Sequence, residues 1–435
     1  MQFKPYPLYI PCDIHWFNEI PQSWKQVRVE QYLIKKDENI GDLWDSTQLL
    51  SLTQNGIIEK DINDGKGKTH SDYSTYQAID IGDLVFCLFD IDETPRTVGL
   101  STKKGMITSA YTAFKSKENI NTQYVYYFFE SLDDAKALKP YYKGLRKTVR
   151  PPEFLKIHVP FPPKVEQVAI SQFLDTETAR IDTLIAKQEK LIELLEEQRK
   201  SIISHAVTKG LNPNAPMKDS GVEWLGDVPN DWNFSRLDAV SKIVRGNSAF
   251  SKMDLLESGK YVALQYGKTY KVNEINESFG SYVNQEFFKK SQITEFGDII
   301  LISTSETLED LGHSCFYARH DIGLIGGEQF LLKPKNQNFG KYIYYATKAF
   351  SSYLQRYATG LKVFRFNLDD LKKIYIPDIS LVEQQKIAEF LDKETARIDI
   401  SVLKQKSLIE KLKEYRSSII SHAVTGKINV QEFGA

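Results

Sequence analysis

Along residues 165–208 the apolar positions follow a helical period. Ile170, Leu174, Ile181, Leu184, Leu191, Leu195 and Ile202 belong to one series that steps alternately four and three residues. That is the a/d pattern by which two helices form a coiled coil. The series returns as Ile387, Leu391, Ile398, Leu408, Leu412 and Ile419, with the polar Ser401 where the first copy has Leu184. Other seam positions are polar in both copies: Glu177 and Glu394, Gln188 and Gln405, His205 and His422. Such residues weaken a seam but fix its register and its partner. The offset between the copies stays at 217 residues from Gln167 and Gln384 through Thr208 and Thr425. The chain is therefore a tandem duplication. Each copy, if unbroken, predicts a helix of about 44 residues and roughly 66 Å.

Boundary signals agree with this reading. Ser380-Leu381-Val382-Glu383 has the form of a capping box, and Pro162-Pro163 precedes the first helix. Gly210 and Gly426 follow the last periodic residues, where C-terminal caps fall. A second echo lies upstream of each helix: Trp16, Pro21 and Trp24 match Trp224, Pro229 and Trp232 at an offset of 208 residues. The segments between the echoes have diverged. Each helix presents one seam and has no other evident partner, so the two copies are expected to pair with each other. Connection through the linker 209–221 and a whole second head favours an antiparallel pair.

Each head carries a Gly-Asp turn before a β-like run, Gly82-Asp83 before LVFCLF and Gly297-Asp298 before IILIS. Further strands are predicted at ITSAYTAFKS from Ile107, YVALQY from Tyr261 and QFLLKP from Gln329. A helix-like stretch follows in both heads, TQYVYYFFESLDDAKAL and KYIYYATKAFSSYLQRY. The expected fold class is α+β: two pseudo-symmetric mixed α/β domains, each followed by a long helix, the helices pairing as an antiparallel intramolecular coiled coil. The expected boundaries are a first head at 1–160, a first long helix at 161–208 and a linker at 209–221. A second head follows at 222–378, a second long helix at 379–426 and a tail at 427–435.

Composition narrows the function classes. With 41% hydrophobic and 26% charged residues the chain has a soluble globular balance, and no apolar run reaches the roughly 18 residues of a membrane span. The N-terminus shows neither a basic leader nor a long apolar core, so a cytoplasmic location is expected. Cys12, Cys87 and Cys315 are far apart and form no CxxC pair, which speaks against zinc and a disulfide framework. A net charge of −1 gives no general nucleic-acid signature. Counterion release depends on where cations meet phosphate, so a local basic surface remains open.

Both heads place a glycine ahead of closely spaced cations: Gly144 before Arg146, Lys147 and Arg150, and Gly360 before Lys362 and Arg365. A glycine turn lets such cations track phosphates or reach guanine edges; the alternative is a solvated charged loop. Weaker polyanion candidates are Thr53, Gln54 and Asn55, Lys66 and Lys68, Gln265, Tyr266 and Lys268, and Ser303 and Thr304. Gly67-Lys68-Thr69 resembles the end of a phosphate-binding loop, but position 62 is Ile where that loop needs glycine. Arg150-Pro151-Pro152-Glu153-Phe154 lacks the first residue and the spacing of the amino-methyltransferase motif. His205 and His422 stand alone beside serines, without the neighbours of a metal site or a triad. No catalytic or metal-binding residue is assigned.

Taken together, the Trp-x4-Pro-x2-Trp openings and the twice-repeated EQ...I..FLD.ETARID...L......LIE.L.E.R.S.I.HAVT helix resemble the DNA-specificity subunit of type I restriction-modification enzymes. The resemblance covers nearly the whole chain. It implies that each head is a target-recognition domain for one half of a bipartite asymmetric site in double-stranded DNA. The helices would set the spacer and dock two methyltransferase subunits. It further implies that the chain binds no cofactor itself, with S-adenosylmethionine, ATP and Mg held by methyltransferase and motor-nuclease partner subunits. A stand-alone sequence-specific regulator and a coiled-coil interaction scaffold are the other classes left open by the residues alone.

Overall fold

The computed structural model describes residues 4–61, 73–144, 146–247, 250–336 and 340–431. Two long helices dominate the element order, Lys164–Lys209 and Leu381–Val424. The chain divides into two compact units, one of residues 1–188 with 406–435 and the other of residues 189–405. Each unit thus contains one head, the end of the long helix nearest to it in sequence, and the opposite end of the other long helix.

In the first unit, Ile170, Leu174 and Ile181 share a core with Ile419, Ile420, Ala423 and Val424. In the second, Ile203, Ala206 and Val207 share a core with Ile387 and Leu391. Both units place the start of one long helix against the end of the other, so the pairing is antiparallel. Two ion pairs fix the register: Arg416 reaches Asp182 at 3.0 Å in the first unit, and Arg199 reaches Asp399 in the second. These four residues are themselves related by the 217-residue repeat.

The middle of the seam departs from the heptad expectation. Leu191 and Leu408 lie outward, 39% and 41% exposed, and the following residues take the inward positions, with Ile409 only 6% exposed and Ile192 half-buried. A straight helix of 3.6 residues per turn drifts about 20° per heptad against a 3.5-residue pattern, enough over the three heptads from Ile170 to Leu191, or from Ile387 to Leu408, to pass the inward face to the next residue. Leu195, Leu412 and Ile202 are half-buried; Ile387, Leu391, Ile398 and Ile419 are buried.

Within the first unit the head contains two four-stranded sheets. One runs in the order Gly56–Lys60, Leu49–Thr53, Gly105–Ile107, Gln77–Ile79, and the other in the order Leu33–Lys35, Thr112–Ser116, Leu84–Phe86, Val98–Leu100. The strand after the Gly-Asp turn explains its continuous apolar run: Leu84 and Phe86 face the helices, while Val85 faces a second core with Leu50, Ile57 and Ile107. The run ITSAYTAFKS forms two strands broken by a turn at Tyr111, not one.

The second unit repeats the logic. Its five-stranded sheet runs Ser241–Arg245, Gln329–Pro334, Ile299–Ile302, Ser314–Tyr317, Glu274–Ile275, beside a four-stranded sheet Tyr282–Val283, Tyr261–Leu264, Gly323–Ile325, Ile293–Thr294. Ile299 and Leu301 face the helices, and Ile300 faces the other core with Val262 and Leu264. Gly82 and Gly297 adopt φ of +90° and +91°, and the following aspartates each accept from the backbone NH three residues before them and from a lysine, Lys36 or Lys333. The left-handed φ is why glycine stands at both turns.

Candidate nucleic-acid interface

The repeated tryptophans fasten heads to helices. Trp24 Nε1 donates to Glu166 at 2.7 Å, and Trp232 Nε1 donates to Glu383 at 3.2 Å. Glu383 also donates its NH to Ser380 Oγ at 3.3 Å, so only half of the expected capping box forms: its carboxylate is taken by the indole. Tyr127 donates to Asp175 on the first long helix and Tyr345 to Asp392 on the second, at 2.8 and 2.6 Å. Gln167 and Gln384 each donate to the carbonyl five residues before, of Pro162 and Ile379. The cap glycines close the pattern: Gly210 and Gly426 have φ of +71° and +72° and lie against Trp232 and Trp24. The tryptophan, tyrosine and glutamine echoes in the sequence are thus the attachment points of two otherwise different heads.

One charged position breaks the symmetry. In the first unit Glu130, buried on the helix Thr122–Asp134, faces Arg416 and Arg96 at 3.3 and 3.5 Å through a single oxygen. Its other oxygen meets no donor among the described residues. Desolvation raises its pKa above the ordinary carboxylate value, against the pull of the two arginines. In the second unit the corresponding helix, Gly340–Leu354, carries Lys348, whose Nζ donates to Asn273 Oδ1 and to the Ser314 carbonyl. Burial, with a smaller contribution from nearby Arg199, lowers its pKa to about 8.

The residues flanking the Gly-Leu-basic segments are paired through their backbones. In the first head Lys143 and Thr148 form a β-bridge around the turn, and Gly144 has φ +75°. In the second, Thr359 and Arg365 exchange both backbone hydrogen bonds, and Gly360 has φ +114°. Each loop is tied to the loop that leaves the Gly-Asp strand. Asp90 donates its NH to the Arg146 carbonyl at 2.9 Å in the first head. In the second, Thr304–Ser305 pairs antiparallel with Phe364–Arg365, Thr304 opposite Arg365.

The candidate residues fare differently. In the second head Ser303, Thr304, Tyr266 and Arg365 come together: Tyr266 OH donates to Ser305 Oγ at 3.4 Å, and Phe366 donates its NH to the Ser303 carbonyl. Gln265 precedes the turn of helix Tyr266–Thr269, on which Lys268 is exposed; Lys362 is exposed on the loop. In the first head Arg146 and Arg150 are exposed, but Lys147 is held by Glu93 and Asp92 at 3.3 and 3.4 Å. Those acids raise its pKa, Glu93 foremost. Thr53 donates to the Gly56 carbonyl inside a hairpin whose tip is Gln54 and Asn55, and among the described residues no hydrogen bond or ion pair joins this tip to the Arg146 loop. Lys66 and Lys68 lie outside the described residues. Sequence reading missed Tyr270, which stacks on Tyr266 at 5.5 Å with Lys271 over its ring; the i, i+4 spacing of the two tyrosines was the available signal. Among the described residues no three His, Cys, Asp or Glu are grouped to hold a metal, and no helix is long and apolar enough to cross a membrane.

Two dissimilar heads, each latched to the long helices and each carrying a basic glycine loop, define a duplicated two-head scaffold. A family model described as "Type I restriction modification DNA specificity domain" matches residues 88–194 and 229–411, more than half of the chain, and the chain belongs to that family. A Methanocaldococcus jannaschii relative bearing the name MjaX specificity subunit is 27% identical, over 92% of this chain and 88% of its own length. The MjaVIII specificity subunit of the same organism is 26% identical, over 76% of each chain. In fold the chain is similar to one solved in work on complex assembly of the type I R-M system, with TM-score 0.70 at 13% identity, covering 94% of this chain and 99% of that one. It is also similar to the HsdS subunit from Thermoanaerobacter tengcongensis, with TM-score 0.50 at 14% identity, covering 94% and 98%.

Proposed function

We propose that this chain is the DNA sequence-recognition subunit of a type I restriction-modification complex, with each head reading one half of a bipartite, asymmetric site. The observation that carries the reading is the repeated latch, Trp24 to Glu166 and Trp232 to Glu383, by which one frame holds two different heads. Family membership and the specificity-subunit names of the relatives support it. The heads differ where a reader must differ: an acid-flanked loop at Lys147 in one, a hydroxyl-lined ladder at Arg365 in the other. Unlike loops predict unlike half-sites.

In this reading the chain performs recognition and not catalysis. Methyltransferase subunits docked on the helices supply S-adenosylmethionine chemistry, and a motor-nuclease subunit supplies ATP- and Mg-dependent work in the cytoplasm. Several base contacts of about 1 to 3 kcal/mol each, spread over two heads, reach the roughly 4 to 10 kcal/mol that separates specific from non-specific binding. Tethering adds effective concentration for the second head once the first is bound. The test is long-read methylation mapping in cells expressing this chain with its cognate methyltransferase. A single motif of two unlike halves separated by an unread gap is expected. A continuous motif, a palindrome or no motif would refute the reading, the last favouring a protein-interaction scaffold.

A further inference from the structure

Each glycine loop carries an arginine whose guanidinium has no partner among the described residues: Arg146 inside the Lys143–Thr148 bridge, two residues after Gly144, and Arg365 in the Thr359–Arg365 bridge, five residues after Gly360. Arg146 and Arg365 are both exposed, and neither guanidinium forms an ion pair or hydrogen bond among the described residues. Both are fixed through their backbones instead. The Arg146 carbonyl accepts from Asp90 NH at 2.9 Å and from Thr148 Oγ1 at 3.1 Å. Arg365 exchanges two 3.0 Å backbone hydrogen bonds with Thr359 and sits opposite Thr304 in the ladder. Gly360 holds the turn at φ +114°, where a Cβ would collide with the Val363 carbonyl oxygen.

A backbone held this way aims a side chain, whereas a cation that only neutralises phosphate needs no such aim. Arg150 lies past the Lys143–Thr148 bridge, at the start of helix Pro151–Leu155, and the two lysines of these loops contrast with the two arginines. Lys147 is already matched by Glu93 and Asp92, and Lys362 lies at the loop apex without backbone pairing of its own. The arginine fork presents two parallel donors at a fixed spacing, which suits the O6 and N7 acceptors of guanine in the major groove. A two-stranded ribbon, which Thr304–Ser305 and Phe364–Arg365 form, is narrow enough to enter that groove.

We infer that Arg146 and Arg365 are the guanine readers of the two heads, one in each half-site, each pairing through both guanidinium donors with one guanine. The inference rests on the reading under Proposed function and adds residue and base to it. Loss of the fork should then relax one base pair in one half of the motif and leave the other half intact.

Methylation mapping of the Arg365→Gln and Arg365→Lys chains beside the unaltered chain, each with the cognate methyltransferase, tests this. Arg365→Lys keeps the charge and loses the bidentate geometry. For both variants one G·C pair in one half-site should become degenerate, with discrimination there falling roughly 10- to 100-fold. Arg146→Lys should do the same in the other half. Intact recognition of the unaffected half reports that the chain is folded. Uniformly slower methylation with an unchanged motif would make the arginine a phosphate contact and overturn the inference, as would a half-site without guanine. If the unaltered chain itself yields no bipartite motif, the reading beneath the inference fails first.

Discussion

Arg416 and Arg199 occupy the same place in the two repeats, yet their removal should have unequal costs. Arg416 lies against Glu130, whose side chain is 2% exposed, and against Asp182. Replacing it with methionine keeps the buried stem and removes the charge, leaving Glu130 with Arg96 alone at 3.5 Å. Breaking a buried pair costs about 3 to 5 kcal/mol, and the remaining arginine reduces this to roughly 2 to 3 kcal/mol. Arg199 pairs with Asp399 and Glu196, each about half exposed, and such pairs contribute only about 0 to 1 kcal/mol. Its removal also relieves Lys348, whose pKa it helps to lower. Denaturant unfolding, with hydrogen exchange in the helices Thr122–Asp134 and Gly340–Leu354 to report each unit, measures both. Arg416→Met should lose stability in the first unit, and Arg199→Met should stay within about 1 kcal/mol. The loss should also depend on pH. The Glu130 pKa is raised in the fold, so its cost is absent at low pH and grows as pH rises through the folded value. The deficit of Arg416→Met should therefore shrink as pH falls toward the ordinary carboxylate range. Equal losses from the two variants, or a pH-independent deficit, would refute the reasoning.

Burial, with the Lys348 cation as the smaller cause, lowers the His313 pKa to about 4, while its ring nitrogen meets the Val272 carbonyl. Its stabilisation is complete above the unfolded value near 6.5 and is lost as pH falls toward about 4, a change of roughly 3 kcal/mol in the second unit. Acid unfolding followed by hydrogen exchange should show this, and His313→Asn should flatten it. Trp24→Phe should cost about 1 to 3 kcal/mol, because it strips a donor from buried Glu166, while Trp232→Phe should cost about 1 kcal/mol at its longer, partly exposed bond. Thermal unfolding of the two variants checks the order. Gly360→Ala meets both a left-handed φ and the Val363 carbonyl, so it should weaken recognition of one half-site in methylation mapping while leaving the other unchanged.

The α+β duplication was legible because it leaves period and offset in the sequence: apolar residues at helical spacing, one 217-residue shift, and tryptophans at fixed places before each helix. Antiparallel pairing followed from connectivity alone. What periodicity could not resolve was the seam near Leu191 and Leu408, where an ideal heptad and a 3.6-residue helix diverge and the following isoleucines turn inward. Nor could local pattern show that Glu383 prefers an indole 151 residues away to its own cap, or that Glu130 meets Arg416 across 286 residues. The candidate interface was partly legible for the same reason. The glycine loops stand out locally, but the neutralisation of Lys147 by Asp92 and Glu93, and the meeting of Tyr266, Ser303, Thr304 and Arg365, depend on strands brought together by the fold.

Two heads reading separate half-sites, with paired helices setting the gap, can be tested by deleting the matched heptads 187–193 and 404–410 together and mapping methylation. Seven residues carry about 10 Å of helix, the rise of roughly three base pairs. The account predicts a gap shortened by up to about that number with both half-site sequences kept. An unchanged gap, or altered bases in either half, would contradict it.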